Sequence, residues 1–210
     1  MKDDDDDIPS CKITLIGDSG VGKSSIIGRF ITGFFNEEMN STFGLNYSQK
    51  LYEKNGKKIS LNLWDTAGQE KFRSLGKNFY TDSFIIIIVY DICNKASFQS
   101  IKEVWYPDIQ RFGEKVNIIA LVGNKKDKYE EEEVPEEEAK SYAKEIEANF
   151  VLVSANNGDG IEYMFQSLAD NFFDIKFIEK IDEAKESRID SIVLDRASFR
   201  VDKSKNKSCC

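Results

Sequence analysis

An apolar run ends at Ile16, and an amphipathic run begins near Gly22. Between them lies Gly17-Asp18-Ser19-Gly20-Val21-Gly22-Lys23-Ser24. Gly-x-x-x-x-Gly-Lys-Ser in that setting dictates a strand, a tight loop and a helix in succession. Its glycines let backbone N–H groups curl around phosphate oxygens, and the helix N-terminus adds positive potential. The cradle expected here is Ser19, Gly20, Val21, Gly22, Lys23 and Ser24. Lys23 reaches the β- and γ-phosphates, and the Ser24 hydroxyl ligates Mg²⁺.

The rest of the chain alternates in the way such a start requires. Strands are expected at Cys11–Ile16, Leu45–Glu53, Ile59–Asp65, Phe84–Asp91, Val116–Gly123 and Phe150–Ser154. Helices are expected at Gly22–Thr32, Ser97–Phe112, Pro135–Ala148 and Ile161–Phe173. Asn55-Gly56 between two alternating runs signals a β-hairpin. The fold class is therefore α/β: a mostly parallel sheet covered on both faces, with one antiparallel edge pair. Ligands on such sheets bind at the carboxyl ends of the strands.

Composition narrows the partners. The 210 residues carry a net charge of −8, which disfavours nucleic acid. There is no histidine, and the cysteines are Cys11, Cys93, Cys209 and Cys210. A zinc site is not expected, and internal thiols suit a reducing cytosol. The most apolar run, Phe84 to Tyr90, is far shorter than the roughly 20 residues of a membrane-spanning helix. Residues 1–8, with five aspartates, read as an acidic disordered N-terminus. Residues 9–176 form the expected globular domain. Residues 177–210 read as a flexible tail.

Four further segments name the ligand. Asp65 ends an apolar strand, where its carboxylate faces Mg²⁺ directly or through water. It is followed by Thr66-Ala67-Gly68-Gln69. Gly68 offers its N–H to a γ-phosphate, and Gln69 orients an attacking water. Thr42, in the loop before the second strand, supplies a second hydroxyl to the metal. Asn124-Lys125-x-Asp127 follows a strand, and the Asp127 carboxylate matches the N1–H and 2-amino group of guanine. Adenine lacks those donors, so it would leave the carboxylate unpaired. Asn124 braces the base and the loops beside it. Ser154-Ala155 places the Ala155 N–H near the guanine O6, and Phe35 packs against the base.

These motifs together resemble the Ras superfamily of small GTPases and, within it, the Rab family. Further Rab-like segments are Lys-Phe-Arg-Ser-Leu at 71–75, Phe79-Tyr80, Val89-Tyr90-Asp91-Ile92-Cys93-Asn94 and the terminal Cys209-Cys210. Gly33-Phe34-Phe35 and Leu75-Gly76 lean toward the endosomal branch. The resemblance implies the P-loop small GTPase fold, with six strands and five flanking helices. It adds Ser25, Ser41 and Asn156 to the nucleotide contacts, and assigns catalysis to Gln69 and Lys23. Tyr47, Trp64 and Phe79 would form an aromatic triad read by effectors. Two segments depart from the family. Phe43-Gly44-Leu45-Asn46-Tyr47 replaces Ile-Gly-Val-Asp-Phe, and Asn156 replaces the lysine of Ser-Ala-Lys.

The implied cycle uses GTP, GDP and Mg²⁺. It involves an exchange factor, a GTPase-activating protein, a dissociation inhibitor or escort protein, and effectors of the GTP state, with a monomeric G domain. Cys209 and Cys210 would carry geranylgeranyl groups, since two lipid chains anchor stably where one does not. The location implied is the cytoplasmic face of intracellular membranes, endosomal by the lean above, with cycling through cytosol. Three rivals stand beside this reading: an ATP-dependent phosphotransferase, a nucleotide-locked binding module without turnover, and a Ras- or Rho-like signalling GTPase.

Overall fold

In the computed structural model, the described residues are 8–36, 45–66 and 80–176. Their strands are β1 (Ser10–Ile16), β2 (Leu45–Lys54), β3 (Lys57–Thr66), β4 (Ile85–Asp91), β5 (Ile118–Asn124) and β6 (Asn149–Leu152). They form one six-stranded sheet in the order β2-β3-β1-β4-β5-β6. β1 runs parallel to both β3 and β4, and β5 parallel to β4 and β6. Only β2 is antiparallel, paired to β3 at the sheet edge. This is the expected six-stranded P-loop fold.

The position of each strand follows from its residues. β4 reads Ile-Ile-Ile-Ile-Val-Tyr-Asp and is buried along its whole length. A parallel strand flanked on both sides and covered on both faces needs such a run. β2 alternates between exposed and half-buried positions, as an edge strand with one wet face should. The β2–β3 turn is Asn55-Gly56, with φ of 53° and 73°. Positive φ at both central residues is the type I′ signature, whose twist matches the strands it joins.

The α-helices among the described residues are α1 (Lys23–Thr32), a composite α2, α3 (Glu136–Glu145) and α4 (161–169), with a 3₁₀ turn at Lys126–Glu131. α2 is made of Lys95–Ser100, a π-helical turn Ile101–Trp105, and Tyr106–Phe112. The sequence predicted one regular helix over 97–112, so the π-turn is a finding of the structure. Asn94 caps α2, its side chain accepting from the Ser97 N–H at 3.3 Å. α3 opens with Glu136, Glu137 and Glu138, which suit the positive end of a helix. Two units divide the chain, Met1–Ala169 and Asp170–Cys210. In the second, residues 170–176 are helical.

Ring contacts tie the helices to one another and to the sheet. Phe30 of α1 stacks on Phe165 of α4 with ring centroids 3.9 Å apart. On the other face, Phe98 of α2 lies between Tyr90 of β4 at 5.0 Å and Tyr142 of α3 at 5.9 Å. Phe98 is 1% exposed, so Phe98→Ala leaves a cavity among rings that cannot fully collapse. It should cost about 3–5 kcal/mol. Urea unfolding checks this, and an unchanged midpoint would refute the packing role.

Candidate functional site

The parallel register brings the chemistry to one end of the sheet. Leu15 of β1 lies beside Asp65 of β3, and Asp91 of β4 beside Asn124 of β5. The strands therefore stop together, and among the described residues the loops after β1, β5 and β6 converge at their carboxyl ends.

The phosphate end is built by the loop after β1. Gly17, at φ 138°, runs so close to β4 that a Cβ there would fall on the Val89 carbonyl. Gly22, at φ 96°, starts α1, and a Cβ there would collide with the Asn124 amide. Both positions demand glycine. Lys23 is 5% exposed and donates to the carbonyls of Gly17 and Asp18, each at 2.8 Å. Burial lowers its pKa to about 8, against the opposing pull of Asp65 and Asp18. An ammonium so desolvated suits an anionic ligand, whose charge offsets the cost of burial.

Beside it, the Ser24 Oγ donates to Asp65 Oδ2 at 2.5 Å. Asp65 is 5% exposed. A hydroxyl and a carboxylate at one point form a hard oxygen pair that fits Mg²⁺, which takes few protein ligands and keeps phosphate and water for the rest. The other expected residues of this end, Ser41, Thr42, Gly68 and Gln69, lie outside the described residues.

The base end is a cavity of about 400 Å³, lined by Phe35, Asn124, Lys125, Asp127, Ala155 and Asn156 among others. Gly20, Gly22 and Ser25 also line it, which makes it continuous with the phosphate loop. Phe35 is half-buried there, while its neighbour Phe34 is 78% exposed. Asn124 is the hinge between the two ends. Its Nδ2 donates to the Val21 carbonyl at 2.8 Å, and its Oδ1 accepts from the Ala155 N–H at 3.1 Å. The N–H expected at the guanine O6 is thus engaged by Asn124 in this structure.

Asp127 accepts from Ser154 Oγ at 2.5 Å and from Asn156 Nδ2 at 3.0 Å. Burial pushes its carboxyl up, but these two hydrogen bonds, a backbone N–H and the nearby Lys128 charge together hold the group below the usual carboxylate range. Asn156, which stands where the family pattern has a lysine, is thus a partner of the Asp127 carboxylate. Ser154 and Ala155 lie just past β6, which ends at Leu152 rather than at Ser154 as expected. Lys125 adopts φ 68° and turns its Nζ to Asp91 Oδ2 at 2.5 Å.

Sequence reasoning missed Arg29, on the last turn of α1. Its Nε donates to the Ala155 carbonyl and its Nη1 to the Gly33 carbonyl, each at 2.9 Å, while Nη2 reaches the Asn156 carbonyl. One guanidinium thereby holds the Ala155–Asn156 wall to the segment leading to Phe35. A basic residue at a helix C-terminus has a general electrostatic explanation, so the pattern alone did not single it out. Tyr47 and Trp64 are register partners across β2 and β3, with rings 5.1 Å apart and Tyr47 50% exposed. Phe79 lies outside the described residues.

Known proteins share this arrangement of segments. The Ras family profile matches residues 12–174. Ras-related protein RABD2a of Arabidopsis thaliana is 41% identical over 159 residues, covering 75% of this chain and 77% of that protein. Ras-related protein SEC4 of Saccharomyces cerevisiae is 40% identical over 175 residues, covering 83% and 78%. Ras-related protein Rab5A of rice, Oryza sativa subsp. japonica, is 40% identical over 162 residues, covering 77% and 79%. By this profile and these relatives, the chain belongs to the Ras family of small GTPases, among its Rab proteins.

Proposed function

We propose that this chain is a guanine-nucleotide switch that hydrolyses GTP to GDP and regulates vesicle traffic. The observation that carries it is the position of Asp127. Its carboxylate lines a cavity that Asn124 joins to the phosphate loop, so one ligand must satisfy both ends. A carboxylate there rewards the paired donors of guanine and penalises adenine. The ATP-dependent phosphotransferase is disfavoured on the same ground.

In the mechanism, Lys23 keeps the Asp18 carbonyl as a partner and turns its other N–H groups to the β- and γ-phosphate oxygens, offsetting the charge that develops on them. Ser24 and Asp65, joined by Thr42, would hold Mg²⁺. Bound there, the metal neutralises phosphate charge and orients the γ-phosphoryl group. Gln69 positions a water for in-line attack. The bond from the γ-phosphorus to the bridging oxygen breaks, leaving GDP and phosphate. No arginine stands in the phosphate loop or beside Thr42. Intrinsic turnover is then slow, and an activating protein completes the site in trans.

Loss of the γ-phosphate removes the contacts of Thr42 and Gly68, which is how such switches release their loops. Effectors of the GTP state read the surface around Tyr47, Trp64 and Phe79. An exchange factor ejects GDP, and a dissociation inhibitor or escort protein shields the lipidated tail. Residues 9–176 make the G domain, and 177–210 the tail that ends in Cys209-Cys210. Among the described residues, no helix is long and apolar enough to cross a membrane. Two geranylgeranyl groups on those cysteines supply the anchor, and an endosomal membrane is the specific destination proposed.

Three measurements test this reading. Asp127→Asn exchanges an acceptor for a donor, so GTP affinity should fall by about 10²-fold or more while xanthosine triphosphate gains. Retained GTP preference in competition binding refutes the base assignment. Gln69→Leu should leave GTP affinity intact and slow activator-stimulated single turnover by about 10²-fold; an unaltered rate removes the water-positioning role. Replacing Cys209 and Cys210 with serine should move the protein from the membrane pellet to the cytosol on fractionation. Persistent pelleting would mean a different anchor.

A further inference from the structure

Trp105, outside the nucleotide motifs, reaches into the phosphate loop from α2. It lies at the end of the π-turn Ile101–Trp105, and its indole Nε1 donates to Asp18 Oδ1 at 2.8 Å. The backbone carbonyl of the same Asp18 accepts from Lys23 Nζ at 2.8 Å. Asp18 is therefore held by α2 through its side chain while it holds the lysine through its main chain.

The π-turn has a local cause. Pro107 follows it, with no N–H to give and a ring that crowds the carbonyl four residues back. Widening the preceding turn relieves that crowding, and the Tyr106 N–H bonds to the Ile101 carbonyl five residues back. A π-turn inserts one residue into the helical period and so rotates the residues on one side of it relative to the other. Here the turn ends on the tryptophan that meets the loop.

We infer that Trp105 is a positioning residue for the phosphate grip, acting through Asp18 on Lys23. An indole N–H to a carboxylate is a charge-assisted hydrogen bond, stronger and shorter than a neutral one. It fixes the peptide around Asp18, and with it one of the two carbonyls that hold the ammonium between the loop and the phosphates. Trp105 touches no nucleotide atom in this account. Its contribution is to keep Lys23 and the loop N–H groups aimed at the β-phosphate, which slows nucleotide release. The inference rests on the nucleotide-switch reading above.

The test uses the full chain loaded with a fluorescent GDP, and measures its release in excess unlabelled GDP. Trp105→Phe keeps an aromatic ring and removes the N–H, and should speed release about 10-fold. Asp18→Ala should do the same. The double variant should be no faster than either single one, because both remove one bond. Asp18→Asn retains an acceptor oxygen but loses its charge, so it should release faster than wild type and more slowly than Asp18→Ala. Preference for GDP over ADP should be unchanged in all of them, since the base end is untouched.

Unchanged release from Trp105→Phe overturns the inference, and so do additive effects in the double variant. If Trp105→Phe does not fold, Asp18→Ala against Asp18→Asn still decides. Equal rates from those two then refute the bond's role. Failure of the wild-type chain to retain GDP at all would instead overturn the switch reading itself.

Discussion

The buried side chain of Asn124 carries both halves of the site. Its amide nitrogen holds the Val21 carbonyl in the phosphate loop, and its oxygen holds the Ala155 N–H in the loop after β6. At 2% exposure neither end of the amide has water as a substitute. A buried polar group that loses a partner costs about 1–3 kcal/mol, so the loops cannot drift from one another cheaply. Gly22 completes the fit, because any side chain there would displace this amide.

This linkage works only because the sheet delivers its parts in register. β5 sits between β4 and β6, and Asn124 is the last residue of β5. Asp91 ends the neighbouring strand and takes the Lys125 ammonium, fixing the residue that follows Asn124. Apolar strands thus end in polar residues whose partners lie across the loops. The core sets their positions, and hydrogen bonds set their directions.

Much of this was legible in the chain. The P-loop signature, the Asn55-Gly56 turn and the continuous apolar run of β4 each have a short-range physical cause, so each could be read locally. The antiparallel edge follows from the same patterns. What escaped depends on long-range geometry. Arg29 looks like any helix-ending cation, yet it bonds carbonyls more than 120 residues away. The π-turn in α2 had one visible sign, Pro107 in an otherwise helical pattern. The Asn156–Asp127 bond joins two loops that no sequence period connects.

Asn156 shows how a departure from a family pattern can be absorbed. A lysine there would place a cation beside the base site. Asn156 offers a neutral N–H to Asp127 instead, and Ser154 offers an O–H. These two bonds, with a backbone N–H and the Lys128 charge, favour the ionised carboxylate against the opposing effect of burial. Arg29 carries the remaining load by holding the carbonyls of Ala155 and Asn156 to the end of α1. The same helix begins with Lys23 and Ser24. A shift of α1 therefore moves Lys23 and the Ala155–Asn156 wall together, so the two ends of the site stay mechanically joined with asparagine at 156.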